Sequence, residues 1–172
     1  MLDSSKLHSK LFLAIGLPLC KAVSWIMFTL LGPTVVRNRN RVPAEGGVLI
    51  LANHLADVDP ILVQIASKRP IYFMAKSELF EMKLLGSVIR WFRAFPVKRG
   101  EPDRSAIKHA IELLKAGNVV CVFPEGELSE SGNLLPLKPG VALMVRMAGV
   151  PVVCVRLDNT NRLMPYGKFV PR

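Results

Sequence analysis

The run Asn53-His54-Leu55-Ala56-Asp57-Val58-Asp59-Pro60 holds a pairing suited to moving a proton. An imidazole followed five positions later by a carboxylate meets it if the chain turns between them. The carboxylate then fixes the ring tautomer through one nitrogen and leaves the other to take a substrate proton. Taken alone, the same residues also suit an Asn/His/Asp-rich helix cap, and spacing does not choose between the two. There is no Gly-x-Ser-x-Gly and no cysteine in an electropositive, exposed setting, so this is the base half of a triad without its nucleophile. A base alone suffices where the electrophile is already activated. An acyl thioester can be attacked directly by an acceptor hydroxyl once that hydroxyl is deprotonated, with general-base help of about 10²–10⁴-fold.

Two further clusters carry polar chemistry. Arg93-Ala94-Phe95-Pro96-Val97-Lys98-Arg99 offers guanidinium groups that grip phosphate in a bidentate fork, or simply a solvated basic pair. Val122-Phe123-Pro124-Glu125-Gly126-Glu127-Leu128-Ser129 runs a strand into a carboxylate and a bare backbone that admits a ligand, or forms an ordinary turn.

The intervening chain supplies the elements that position these clusters. Short apolar runs predict strands at Val48–Ala52, Ile71–Ala75, Ala94–Val97, Val119–Phe123 and Val150–Leu157. Helical patterns fall between them. Asp59 is expected as N-cap and Pro60 as first residue of a helix through Ala66. Others are expected over Ser77–Trp91, from Arg104 to a stop at Gly117, and over Val141–Ala148 ending at Gly149. Alternation of this kind predicts an α/β fold with a largely parallel or mixed central sheet flanked by helices. Ligand sites in such sheets gather beyond the carboxyl ends of the strands. All three polar clusters follow strands, so parallel strands bring them to one edge.

The chain of 172 residues suits one such domain, and its 51% apolar content argues against disorder. Residues 41–172 are expected to form it, after an apolar helical segment over 1–40. Leu11 to Val36 carries Lys21 as its only charge and is long enough to span a bilayer. Yet Lys21 would sit near mid-membrane, and Gly16, Pro18, Gly32 and Pro33 interrupt the run. Both flanks are basic, with Lys6 and Lys10 before and Arg37, Arg39 and Arg41 after. The expectation is a helix pair that dips into one leaflet or lies in the interface at the cytoplasmic face, peripheral or monotopic, with a single span as the alternative. The net charge of +10 and mean hydropathy of +0.34 fit an anionic, membrane-borne partner. Nucleic acid would also suit the charge, but no recognition helix or aromatic-basic stacking surface accompanies it. Cys20, Cys121 and Cys154 lie in apolar runs without metal spacing and are expected to be buried free thiols.

Taken together, the clusters resemble the glycerolipid acyltransferase family, whose best-known members make phosphatidic acid from lysophosphatidic acid. The family's Asn-His-x4-Asp block matches Asn53, His54 and Asp59; its second block matches Pro96, Val97, Lys98 and Arg99; Phe-Pro-Glu-Gly matches Phe123 to Gly126; and an aliphatic-Pro-aliphatic block matches Val150, Pro151, Val152 and Val153. All four occur in family order, over about Val48 to Leu157. The resemblance implies His54 as general base and Asp59 as its orienting partner. It implies Arg99, Glu125 and Gly126 as contacts for the glycerophosphate, Pro151 as shaping the site, and Lys76 as approaching the thioester carbonyl or a phosphate. The donor would be acyl-coenzyme A or acyl carrier protein, as co-substrate; no cofactor and no metal are implied. The chain departs from the family where Glu127, Leu128 and Ser129 stand in place of the frequent Thr-Arg-Ser, and where Arg93 replaces a common glycine. The missing arginine leaves a zwitterionic lysophospholipid, such as a lysophosphatidylethanolamine, as an alternative acceptor, with thioester hydrolysis a more distant one. The chain also ends at Arg172, sooner after the fourth block than family domains usually do, as a short member or a piece of a longer one would.

Overall fold

The computed structural model describes residues 12–31, 34–98, 100 and 103–165. Arg99, expected at the site, lies outside them, as do Lys6, Lys10, Gly32 and Pro33.

Five strands form one sheet: β1 (Val48–Ala52), β2 (Ile71–Lys76), β3 (Ala94–Val97), β4 (Val119–Val122) and β5 (Val152–Val155), in spatial order β3-β2-β4-β1-β5. Every pairing is parallel, so the mixed alternative falls away. The inner parallel strands β1 and β4 are covered on both faces, which is why they are near-continuous runs of Val, Ile and Leu. On one face Leu49, Val120 and Val122 pack against Ala106, Ala110, Ile111 and Leu114 of α4 (Arg104–Lys115) and Val141, Met144 and Ala148 of α5 (Pro139–Ala148). On the other, Val48, Ile50, Phe73 and Cys121 pack against Val63 of α2 (Asp59–Ala66). The last short helix, α6, spans Thr160–Leu163.

The N-terminal run is one continuous helical segment among the described residues, rather than a pair. A π-helical turn, Phe12–Gly16, passes into α1 (Leu17–Leu31). The change of pitch falls where Gly16 and Pro18 interrupt the apolar run, Pro18 having no N–H to donate. Phe28 is buried against Ala56, Val58 and Ile65, with Trp25 beside it, which docks α1 on α2. Lys21 is paired within the protein. Its Nζ donates to the Ser67 carbonyl at 2.6 Å, and Arg39 donates to the Ile65 and Ala66 carbonyls, so two cations cap the C-terminus of α2. Burial, and then the nearby Arg39 charge, hold the Lys21 pKa below its usual value.

The region expected as one helix over Ser77–Trp91 is split into a 3₁₀ turn, Ser77–Phe80, and α3 (Lys83–Trp91). Met82 is extended, and α3 returns so closely over the turn that a Cβ on Gly86 would stand 2.5 Å from the Phe80 carbonyl oxygen. Arg93 follows at φ 62°, a conformation costing a non-glycine residue about 1–2 kcal/mol. That backbone accounts for the glycine common there in the family. Arg93 is held by its guanidinium, which donates to the Tyr72 hydroxyl at 3.0 Å and lies over that ring.

The edge strand β5 is shorter than expected. Pro151 contributes only its carbonyl, which accepts the Leu49 N–H, and Leu157 leaves the ladder altogether. Alternate residues of β5 face outward, so Cys154 is exposed rather than buried, and Cys20 is only partly covered.

Candidate active site

The carboxyl ends of β1 and β4, neighbours in the sheet, deliver His54 and Phe123–Gly126 to one place. Asp59 is not the N-cap of α2. Val58 is, and Asp59 occupies the first helical turn with its carboxylate bent back over the loop. Its Oδ2 accepts the Leu55 N–H at 2.6 Å, the Ala56 N–H at 2.8 Å and a bond from His54 Nδ1 at 3.0 Å. This is the turn that a five-residue spacing requires. The buried carboxylate can only accept, so the Nδ1 proton belongs to His54 and Nε2 is the free base nitrogen. Among the described residues Nε2 has no hydrogen-bond partner, and it is not among the polar atoms sealed from solvent without one.

The ring is 8% exposed and Asp59 fully buried. Phe123 stacks on the imidazole at 4.0 Å between centroids. Among the described residues Asp59 Oδ1 has no hydrogen-bond partner, and it is buried. A carboxylate stripped of solvent in this way interacts strongly with any positive charge that forms on His54. Burial, and secondarily the Asp59 charge, push the Cys121 thiol well above its ordinary pKa, so Cys121 offers no competing thiolate.

The other expected residues divide. Lys76 closes β2 at the same edge, half-exposed, with its Nζ 3.2 Å from Glu78. Gly126 has φ 76°, and its open side is covered by the stem of Lys138: a Cβ there would lie 3.1 Å from Cε and 3.3 Å from Cγ. Glu125 is 1% exposed and turned inward. Pro151 does not shape this site. It precedes β5 at the amino edge of the sheet, level with Val48, and His54 lies six residues further along that chain, about 20 Å at the rise of a strand. Lys98 begins the loop after β3, where its N–H donates to Asp103 Oδ2 at 2.9 Å. That bond, with those from Ser105 and Ala106, holds the Asp103 carboxyl down to about 2.

Three participants have no role that the sequence assigns. Phe123 was available as the aromatic of its block. Asn53 pairs its carboxamide with both backbone groups of Leu157, at 2.9 and 2.7 Å, taking the place of a ladder bond between the ends of β1 and β5. Lys138, between the third and fourth blocks, gave a signal only through its nearness to Pro139-Gly140 at a helix start.

Comparison with known proteins adds the following. The Acyltransferase family model matches residues 34–158. A 1-acyl-sn-glycerol-3-phosphate acyltransferase of Bacillus subtilis is 36% identical over 135 residues, covering 78% of this chain and 67% of the relative. One of Streptococcus pneumoniae is 33% identical over 133 residues, covering 76% of this chain but 49% of the relative, so the chain spans about half of that protein. The crystal structure of the 1-acyl-sn-glycerophosphate (LPA) acyltransferase PlsC from Thermotoga maritima superposes with a TM-score of 0.75 at 28% identity, over 99% of this chain and 68% of that one.

Proposed function

The chain belongs to the acyltransferase family, and from that premise we propose that it transfers a fatty acyl group from a thioester to the free hydroxyl of lysophosphatidate, in phospholipid synthesis. The observation that carries this reading is the His54–Asp59 pair at 3.0 Å with no partner on Nε2 among the described residues. His54 Nε2 takes the acceptor's hydroxyl proton as the oxygen attacks the thioester carbonyl carbon. The tetrahedral adduct collapses, the carbon–sulfur bond breaks, and the departing thiolate receives the proton from His54. Asp59 holds the ring and stabilises the transient imidazolium. The thioester supplies its own activation, so the cycle needs no cofactor, and either acyl-coenzyme A or acyl carrier protein serves as donor. Detergent-solubilised protein given each donor with lysophosphatidate, lysophosphatidylethanolamine or no acceptor tests it. Phosphatidate should form fastest, and free fatty acid as the main product would mark a hydrolase instead.

Arg99 remains the block-two candidate for the acceptor's phosphate, and Lys138 joins it. Lys138 is exposed, its N–H is tied to the Pro124 carbonyl at 2.8 Å, and its stem crosses Gly126, so its charge stands beside the turn where the family's arginine is missing. Among the described residues it has no carboxylate partner. Lys138→Ala should raise the KM for lysophosphatidate about 10-fold or more with kcat little changed, and should narrow its preference over lysophosphatidylethanolamine.

The bilayer is proposed as the partner of α1. No helix among the described residues is long and apolar enough to cross a membrane. Leu17, Lys21 and Phe28 face the protein, while Ile15, Leu19, Val23, Ile26 and Leu30 form the opposite side at helical spacing, each more than half exposed and Leu30 at 82%. With Arg37 and Arg41 exposed just beyond, this suits a helix lying in the interface of an anionic, cytoplasmic leaflet. The double change Leu19→Glu and Ile26→Glu should cut flotation with phosphatidylglycerol vesicles on the order of 100-fold. Unchanged flotation would remove α1 from the membrane contact.

A further inference from the structure

The peptide of His54 is held on both sides by the loop after β4. Its N–H donates to Glu125 Oε1 at 3.0 Å, and its carbonyl accepts the Ser129 N–H at 2.8 Å. The other Glu125 oxygen, Oε2, accepts the Leu135 N–H at 2.9 Å. Glu125 and Ser129 are each 1% exposed. The loop is stapled further by the bond from Lys138 N–H to the Pro124 carbonyl and by the Ser129 hydroxyl on the Asn133 carbonyl. Each oxygen of Glu125 thus meets a backbone donor, and the side chain leaves almost no surface for a ligand to reach.

We infer that Glu125 is a positioning residue, which sets the His54 backbone and through it the place of Nε2, rather than a contact for the glycerophosphate. The inference rests on His54 being the base. Chemistry favours a carboxylate here. Two N–H groups converge from different segments, and a carboxylate accepts at both ends. A glutamine must direct its NH₂ at one of them. An aspartate, one methylene shorter, reaches only one. Either change frees the His54 loop to shift, and misplacement of a reacting group by about 1 Å costs on the order of 100-fold in rate.

The test is steady-state kinetics of Glu125→Gln and Glu125→Asp with lysophosphatidate varied at saturating thioester, alongside the same Gln change in a His54→Ala background. Positioning predicts that kcat falls about 100-fold while KM stays within about 3-fold, and that the Gln change adds almost nothing once the imidazole is gone. An acceptor contact predicts a raised KM and weaker lysophosphatidate binding in both backgrounds, and that result would overturn the inference. Circular dichroism and a melting curve confirm that the variants fold. If the Gln variant does not, the Asp variant, which keeps the charge, gives the same split. Full activity in His54→Ala alone would strike the base assignment instead, and the direct binding measurement would still report whether Glu125 touches the acceptor.

Discussion

Replacing His54 by alanine should lower kcat for acyl transfer by about 10²–10⁴-fold, the range that a positioned general base supplies. The fold should survive. Asp59 keeps two of its three donors, the Leu55 and Ala56 amides at 2.6 and 2.8 Å, so the loop stays closed around it. What disappears is the nitrogen that accepts the hydroxyl proton. Neither Cys121, sealed in the core as a thiol, nor the Asp59 carboxylate, fully buried behind the ring, replaces it. The check is kcat and a melting curve on the same preparation. Loss of activity with loss of folding would say nothing about the base, whereas loss with an intact transition would isolate it.

Asp59 permits a sharper separation, because it does two jobs with one oxygen. In Asp59→Asn the side-chain oxygen can still accept both loop amides and the ring N–H, but the charge that balances an imidazolium is gone. Activity should fall roughly 10²–10⁴-fold while the melting temperature moves by only a few degrees. In Asp59→Ala the donors at 2.6, 2.8 and 3.0 Å all lose their acceptor in a buried setting. At about 1–3 kcal/mol for each unsatisfied group, this variant should lose about 3 kcal/mol or more and melt about 10 °C lower, besides being inactive. Equal melting temperatures for the two variants would show that the carboxylate does not organise the loop.

Strand positions were legible from short apolar runs: β1, buried on both faces, and the edge strand β3, only partly covered, lie where the runs Val48–Ala52 and Ala94–Val97 place them. The gathering of His54 and Glu125 at one edge followed from parallel pairing of β1 and β4. Three features could not be read so directly. The family resemblance put Pro151 at the site, yet it stands before its strand rather than after it, and in a parallel sheet that is the opposite edge. The motif names Glu125 without saying which way its carboxylate points. Its inward turn depends on where the Leu135 N–H returns, ten residues on, through a loop with no periodic pattern. Lys21 looked costly because hydropathy counts charges without knowing that a helix C-terminus lies beside them.

The most direct measurement is a single turnover with enzyme in excess over labelled acyl thioester and lysophosphatidate, quenched and read by mass spectrometry of both lipid and protein. Proton removal by His54 predicts phosphatidate appearing in step with free thiol, no acyl group on the protein at any time, and a His54→Ala trace slower by at least about 100-fold. An acylated protein that forms and decays on the path to product, or a His54→Ala trace as fast as the parent, would contradict it.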